Sequence, residues 1–271
     1  MASPQWFIDL LKYFFPKKAN IARLSRIPVI RELIDYILFH NDGIVYLTRD
    51  AVIPIGEEIS PVENTVLPSY VVTHFIKKAN HHWIMDKCLC RDASDCQTYP
   101  QDLGCIFLGE AVTKIDPKLG RMVSKEEALE HAQKCRDAGL IHMIGRNKLD
   151  TVWMGVGPGH KLMTICNCCS CCCLYSVLPD LDDSISQKIT KMPGIQIHVT
   201  DACVGCGTCT KNTCFVNAIQ LVDGRAVINE DCRGCGNCVE KCPHDAIEIT
   251  INEDAYVDKV IEKISPLIDF S

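Results

Sequence analysis

The chain of 271 residues lacks the signatures of several protein classes. It carries 28 basic against 34 acidic residues, a net charge of −6, and so has no excess of positive charge for a nucleic acid. No apolar run approaches the ~20 residues that a membrane-spanning helix needs. The N-terminal residues 1–15 lack the basic region and the small-residue cleavage site of a secretory signal. We therefore expect a cytoplasmic protein with no nucleic-acid partner.

Cysteine is absent before Cys88, yet the chain contains 19 of them. A chain of this length can bury a core without disulfides, and an odd number of thiols in a reducing cytosol favours metal ligands or redox centres. The cysteines fall into four groups: residues 88–105, Cys135 alone, residues 166–173 and residues 203–242.

The distribution of cysteines and of apolar residues predicts an α+β fold with four segments. These are a helical N-terminal segment (1–67), a cysteine-rich domain (68–192), a small domain after the Pro193-Gly194 hinge (194–252) and a C-terminal helix (253–271). Periodicity predicts helices over 6–15, 28–40, 69–80 and 124–139, the last with a Ser124/Glu127 capping box and a Gly139 stop. Strands are expected over 44–47, 52–55, 151–156 and 162–165.

The first helix has an apolar face formed by Trp6, Leu10, Tyr13 and Phe14, with several lysines and arginines nearby. We expect this face to pack within its own domain. Two alternatives are docking on a membrane surface and docking on a partner subunit, including a second copy of the chain.

The most specific motif lies after Cys203. The chain reads Cys203-x2-Cys206-x2-Cys209-x4-Cys214 and then Cys232-x2-Cys235-x2-Cys238-x3-Cys242-Pro243, an internal repeat. A tight Cys-x2-Cys-x2-Cys loop can bind three irons of a cubane, and the fourth thiolate must come from elsewhere. Zinc is the alternative, although zinc sites use separate quartets of ligands and need no distant Cys-Pro.

Residues 194–252 resemble the bacterial ferredoxin domain with two [4Fe–4S] clusters. The resemblance implies that the fourth cysteine of each motif ligates the other cluster. It assigns one cluster to Cys203, Cys206, Cys209 and Cys242, here called the first set, and the other to Cys232, Cys235, Cys238 and Cys214, the second set. It also implies short strands over 195–199 and 247–251. The first motif departs from the family pattern because x4 replaces x3 before Cys214 and Phe215 replaces proline.

Eleven cysteines remain outside these two sets. Cys88, Cys90, Cys96 and Cys105 lie close enough in sequence to enclose one centre, for which a [4Fe–4S] cluster, zinc, ligands shared with the later run and free thiols all remain open. Residues 166–173 hold six thiols, Cys166, Cys168, Cys169, Cys171, Cys172 and Cys173, which cannot all face one apolar core. We expect one or two further iron–sulfur clusters or one larger cluster built from both groups.

Three further segments together resemble ferredoxin-fused iron–sulfur proteins of anaerobic microbes. They are residues 88–96, residues 138–142 and residues 165–173. The resemblance implies iron–sulfur chemistry and names no substrate.

Other residues near the cysteines are mainly expected to be structural. His74, His81, His82, His142 and His160 are candidates for a ligand or a proton relay. Arg91 directly follows Cys90 and is a candidate to compensate cluster charge. The sequence Gly155-x-Gly157-Pro158-Gly159 does not match a dinucleotide fingerprint and is predicted to be a turn.

The leading functional hypothesis is an electron-transfer protein that receives low-potential electrons from a redox partner protein and relays them to the N-terminal cysteines. The alternative is an oxidoreductase that reduces a substrate, such as a disulfide, a corrinoid or a small organic acceptor, at residues 166–173. A third hypothesis is a redox or metal sensor that responds through the helix around Cys135.

Overall fold

A seven-stranded sheet forms the centre of the computed structural model, which describes residues 3–53, 67–253 and 255–270. Its strands are β1 (Gly43–Tyr46), β2 (His82–Met85), β3 (Ile106–Leu108), β4 (Gly120–Val123), β5 (Ile141–Arg146), β6 (Met163–Cys168) and β7 (Ile189–Lys191). Their order is β4-β2-β3-β6-β5-β1-β7, with antiparallel neighbours except the parallel pair β1–β7. The long central strands β5 and β6 place residues 163–168 in the middle of the sheet.

Short helices cover both faces of this sheet. They are α1 (Gln5–Phe14), α2 (Lys18–Arg23), α3 (Pro28–Ile34), α4 (Ser69–Lys78), α5 (Leu89–Ala93), α6 (Lys125–Asp137), α7 (Lys148–Met154), α8 (Asp183–Ser186), α9 (Asn237–Glu240) and α10 (Tyr256–Ile264). The main core joins one sheet face to α4, α6 and α10. The opposite face packs against α2, α3 and the residues after β6. In the described parts of the chain, we find no helix that combines the length and apolarity needed to cross a bilayer.

The small C-terminal region is built from two strand pairs. Strand β8 (Ile195–Val199) pairs with β11 (Ile247–Ile251), and β9 (Ile219–Val222) forms a hairpin with β10 (Arg225–Ile228). Hydrogen bonds attach this region to the residues just after β1: Thr48 Oγ1 donates to Gly234 O at 2.8 Å, and Arg49 N donates to Cys235 O at 3.1 Å. The region therefore lies against the sheet at the end of β1.

The predicted mixed α+β class is confirmed, and several elements lie where the sequence places them. The expected capping box is present, since Ser124 Oγ accepts a hydrogen bond from Glu127 N at 3.1 Å. Gly139 follows that helix with a φ of 78°, in the left-handed region that glycine tolerates. The four-segment division remains a prediction.

Two predicted strands are wrong. Residues 151–156 begin inside helix α7, where the buried Asp150 carboxylate accepts hydrogen bonds from Asn147 Nδ2, Trp153 Nε1 and Thr164 Oγ1, each at 2.7 Å. These bonds hold the first turn of the helix and override the β-like composition of the segment. Val52 lies in a 3₁₀ turn, and Ile53 is not in a strand; residues 54–55 lie outside the described chain.

The prediction that the face with Trp6, Leu10, Tyr13 and Phe14 on the first helix packs within its own domain is also wrong. Ile8 is buried, and Phe7 and Leu11 pack against a hydrophobic cluster. The predicted face points outward instead, with Trp6 at 66% and Tyr13 at 71% exposure. This helix has two apolar faces. The face with Phe7, Ile8 and Leu11, which continues to the buried Phe15, is the one that packs against the protein. Docking of the outward face on a membrane or a partner remains a prediction.

Candidate metal centres

The first and second sets line two separate small cavities. A cavity of about 10 Å³ is lined by all four cysteines of the first set, together with Pro243 and His244. A cavity of about 20 Å³ is lined by all four cysteines of the second set, together with Phe215. Cys214 therefore lies beside the cysteines of the other half of the repeat, in spite of the longer spacer that precedes it.

Backbone amides surround these thiols. Ala218 N donates to Cys214 Sγ at 3.2 Å, Ala246 N to Cys242 Sγ at 3.3 Å and Ala226 N to Cys203 Sγ at 3.4 Å. Gly207 and Gly236 occupy the same place in the two halves of the repeat, and both have positive φ, 75° and 84°. A left-handed residue here lets each loop turn tightly, so that its thiols can converge on one centre.

The two sets differ in their exposure. In the first set Cys206 is exposed, and the Thr208 hydroxyl lowers the pKa of its thiol by hydrogen bonding. The pKa of Cys203 is lowered by the backbone N–H groups of Ala226 and Gly205. In the second set burial raises the pKa of Cys235 to about 12. The first set is thus the surface site, and the second set lies between it and the sheet.

Six cysteines form a group on one face of the central sheet, here called the six-thiol group. They are Cys88, Cys90, Cys105, Cys166, Cys168 and Cys173. Residues 166 and 168 lie on the same face of β6 because side chains alternate along a strand. Cys105 directly precedes β3, the neighbour of β6, and its Sγ lies 3.7 Å from Cys166 Sγ.

Two members of the six-thiol group are favoured as thiolates. Hydrogen bonds from Cys105 and Cys90 lower the pKa of Cys88, and those from Cys166 and Cys173 lower the pKa of Cys168. The same contacts among the thiols, together with burial, raise the pKa of the other four members. Cys88 and Cys168 are therefore the members favoured in the form that binds metal ions.

Arg91 is the buried cation beside these thiols. It has 0% exposure and donates through Nη1 to Asn167 O at 2.7 Å and through Nη2 to Leu103 O. Burial opposes its charge, but nearby Cys88 and Cys105 outweigh burial and raise its pKa. Its buried Nε has no hydrogen-bond partner among the described residues. A buried guanidinium is costly unless anions surround it, so Arg91 fits the charge-compensating role predicted for it.

An apolar cavity of about 300 Å³ lies against the six-thiol group. Helices α1 to α3 form its roof, with Phe15, Ala22 and Leu38 among the lining residues. Lys18 fixes this roof to the cysteines: its Nζ donates to Cys173 O at 2.8 Å and to Cys172 O at 3.1 Å. Tyr175 also lines the cavity, and its buried hydroxyl lacks a hydrogen-bond partner within the described chain.

The remaining cysteines of these segments form a second, compact group, here called the four-thiol group. Its members are Cys96, Cys169, Cys171 and Cys172, whose sulfurs all lie within 4.8 Å of one another. The segment 88–105 thus divides its thiols between two groups, and each group also takes cysteines from residues 166–173. Among the alternatives left open for residues 88–105, this arrangement favours ligands shared with residues 166–173 over one centre enclosed by residues 88–105 alone.

Cys135 belongs to neither group, although it packs in one buried cluster with Cys96, Cys169 and Cys172 of the four-thiol group. It is buried on α6, and burial raises the pKa of its thiol to about 12, which makes it an inert thiol at neutral pH. Two of the candidate histidines have structural partners, although the buried Nε2 of His142 has no hydrogen-bond partner among the described residues. His82 Nε2 donates to Ile76 O at 2.7 Å, and His142 Nδ1 donates to Asn167 Oδ1 at 2.8 Å, with burial lowering the pKa of His142 to about 4.

Two aromatic side chains connect the second set to the six-thiol group. Phe215, the residue after Cys214, contacts Tyr46 with their ring centroids 4.6 Å apart. Tyr46 Oη in turn lies 3.9 Å from Cys173 Sγ. Both rings are buried in one hydrophobic cluster that also contains Cys235 and Cys168. The sequence identified Phe215 only as a departure from the motif, and nothing in it marked Tyr46, Tyr175 or Lys18, since single residues gain such roles only through tertiary contacts.

Comparison with known proteins identifies a part of the C-terminal region. Residues 226–248 match the family model of the 4Fe-4S binding domain. This stretch contains Cys232, Cys235, Cys238 and Cys242. Neither a curated protein nor a solved structure matches the chain.

Proposed function

We propose that this protein transfers electrons through two ferredoxin-type [4Fe–4S] clusters to or from an iron–sulfur centre bound by the six-thiol group. The 4Fe-4S match covers the second cysteine motif, Cys232 to Cys242, and supports one cluster there. The linings of the two small cavities, each with three cysteines of one motif and the last of the other, support a second cluster and the cross-over of the fourth ligand. When bound, such clusters supply one-electron chemistry. The chain supplies the thiolates, the amide donors to sulfur and the buried Arg91 charge.

The contact from Phe215 to Tyr46 and from Tyr46 to Cys173 is the observation that carries this proposal. It places the second set and the six-thiol group in one continuous buried cluster, with two stacked rings between their ligands. A dry, close-packed route of this kind joins two redox centres without exposing either to water. The exposed Cys206 then marks the first set as the place where a redox partner protein approaches.

Anaerobic rapid-mixing spectroscopy of three variants tests this route. Phe215→Leu and Tyr46→Phe should each slow electron equilibration between the ferredoxin clusters and the six-thiol centre, which freeze-quenched EPR can monitor. Neither change should alter the iron and sulfide contents. Tyr70→Phe is the matched control, because Tyr70 is an exposed tyrosine on α4. Equal rates in all three variants, or a protein with no ferredoxin-type EPR signals, would contradict the proposal.

The cavity beside the six-thiol group favours a second function, the reduction of an uncharged organic acceptor. Its apolar lining suits a molecule without charge, and the unpartnered Tyr175 hydroxyl can donate to one acceptor oxygen or nitrogen. The acceptor would take up electrons that the ferredoxin clusters deliver and protons from solvent.

Filling the cavity separates this function from simple electron transfer. Ala22→Phe places a ring in the cavity from α2 and should lower the rate at which the reduced protein reduces uncharged quinones. The rate with ferricyanide, a charged oxidant that can react at the exposed first set, should stay the same. If both rates are unchanged, the cavity is not a substrate site.

A further inference from the structure

We infer that the four-thiol group binds a single tetrahedral metal ion, zinc or iron, rather than an iron–sulfur cluster. The sequence treated its cysteines as cluster ligands like the others. They differ from the other cysteine groups of the described chain because all four of their sulfurs lie within 4.8 Å of one another.

The spacing of the sulfurs fits one ion. Cys171 Sγ lies 3.6 Å from Cys172 Sγ and 3.7 Å from Cys96 Sγ. Four thiolates that bind one ion at about 2.3 Å occupy the corners of a tetrahedron with edges of about 3.8 Å. The observed separations agree with these edges, and all four sulfurs stay within 4.8 Å of one another.

A cubane requires wider spacing, because each thiolate binds a different iron at its own corner and points away from the cluster. Across residues 3–53, 67–253 and 255–270, the four-thiol group alone brings at least three ligand atoms of cysteine, histidine or acidic side chains within 4.8 Å of one another. Neither the first set, the second set nor the six-thiol group gathers three of its sulfurs this closely.

The loops that carry these cysteines also suit a single ion. Cys172 N donates to Cys169 Sγ at 3.2 Å, a hydrogen bond that spans a Cys-x2-Cys turn. Cys96 Sγ accepts hydrogen bonds from the backbone N–H groups of Tyr99 and Thr98. The Cys-x2-Cys turn and the turn that follows Cys96 meet at one point, and their four thiolates would give the closed coordination of a structural site.

The position of the ion gives it a structural role in the fold. Cys96 lies three residues after α5, which carries Cys90 and Arg91, whereas the other three ligands follow β6 directly. The ion would thus tie together the two chain segments that supply most of the six-thiol group. Cys171 is exposed, so the ion would lie near the surface and be accessible to chelators.

Metal and sulfide analysis of the anaerobically purified, unreconstituted chain tests this inference. We expect one zinc, or one iron with the spectrum of a mononuclear tetrathiolate, beyond the iron that is matched by acid-labile sulfide. Cys171→Ser and Cys96→Ser should each lose that ion and no sulfide. The matched control is Cys135→Ser, which changes a buried cysteine that packs beside the four-thiol group without belonging to it and should retain the ion.

Cobalt provides a second measurement that does not depend on which ion is present. Replacement of the ion by Co²⁺ should produce the visible bands of tetrahedral tetrathiolate cobalt in the wild type and not in Cys171→Ser. Loss of about four irons with four sulfides from Cys171→Ser would show a cubane and overturn the inference, as would the absence of any ion beyond the clusters. Neither result depends on the electron-transfer route through Tyr46 and Phe215.

Discussion

The two cysteine-rich regions of this protein build their sites in opposite ways. In the C-terminal region each site takes its first three cysteines from one tight loop and its fourth from the other half of the repeat, and the cavities are about 10 and 20 Å³. In the N-terminal region both sites combine residues 88–105 with residues 166–173, and one of them borders a cavity of about 300 Å³. Local loops gather cysteines around a cavity with little further space, whereas cysteines brought together by a sheet border a larger cavity that leaves room for a second molecule.

The largest effect that separates the regions is expected for Cys214→Ala. If two clusters are bound as proposed, this change removes the cross-over ligand of the second set, so about four irons and four sulfides should be lost from the C-terminal region. The N-terminal absorption and EPR signals should remain. Iron and sulfide counts check this, with Thr213→Ala as the neighbouring control. Retention of both ferredoxin-type signals would show that Cys214 is not a ligand.

Arg91→Met should affect the N-terminal region alone. It removes the buried charge that the thiolates of the six-thiol group face, and it leaves two carbonyl groups without a donor. Loss of one partner from a buried ionic arrangement typically costs about 3–5 kcal/mol. Anaerobic chemical denaturation should show this loss in the N-terminal transition while ferredoxin-type signals persist.

The control for this change is Arg121→Met, which removes a surface arginine paired with Glu127. A surface ion pair contributes about 0–1 kcal/mol, so this variant should be nearly as stable as the wild type. Equal stability of the two variants would mean that Arg91 does not balance the thiolates.

Lys18→Met should have a smaller effect on the same region. Its ammonium group donates to two backbone carbonyls of the cysteine run, and hydrogen bonds to charged groups contribute about 1.5–3 kcal/mol. We expect faster exchange of the backbone amides over 169–173 and earlier loss of N-terminal iron on heating. Lys17→Met, which changes the exposed neighbouring lysine, should show neither effect.

The smallest expected effect is a pH dependence confined to the N-terminal region. Burial raises the pKa of Asp42 to about 7, although Lys148 N donates to its carboxylate at 2.7 Å. A folded-state pKa above the unfolded value means that the protonated acid is favoured, so stability is greatest below about pH 4 and falls as pH rises to 7. For this partly exposed group the loss should be on the order of 1 kcal/mol.

Asp42→Asn should flatten this dependence, which melting curves between pH 5 and pH 8 can measure. The starting pH is chosen because acid releases cluster iron from any thiolate site. An unchanged slope in Asp42→Asn would assign the dependence to another group.

The C-terminal region could be predicted from the sequence better than the N-terminal region, because its sites are built from local loops and those of the N-terminal region from distant segments. The cysteine repeat encodes its loops within a few residues, and the predicted strands over 195–199 and 247–251 have the bounds of β8 and β11. The N-terminal groups depend on contacts such as that between Cys96 and Cys171, 75 residues apart. No local spacing specifies such a pair. The error over 151–156 has a similar origin, because Asp150 is stabilised partly by Thr164 from β6.

The place of β6 within the sheet decides which way its cysteines face. This strand pairs with β3 on one side and β5 on the other, so its register is set by hydrogen bonds along both edges. A slip by one residue would turn Cys166 and Cys168 toward the main hydrophobic core and Ile165 away from it. The pairing of the strand along both edges therefore fixes the side of the sheet on which these two thiols lie. The cysteines after Cys168 lie beyond the strand, where turns such as that from Cys169 to Cys172 position them instead.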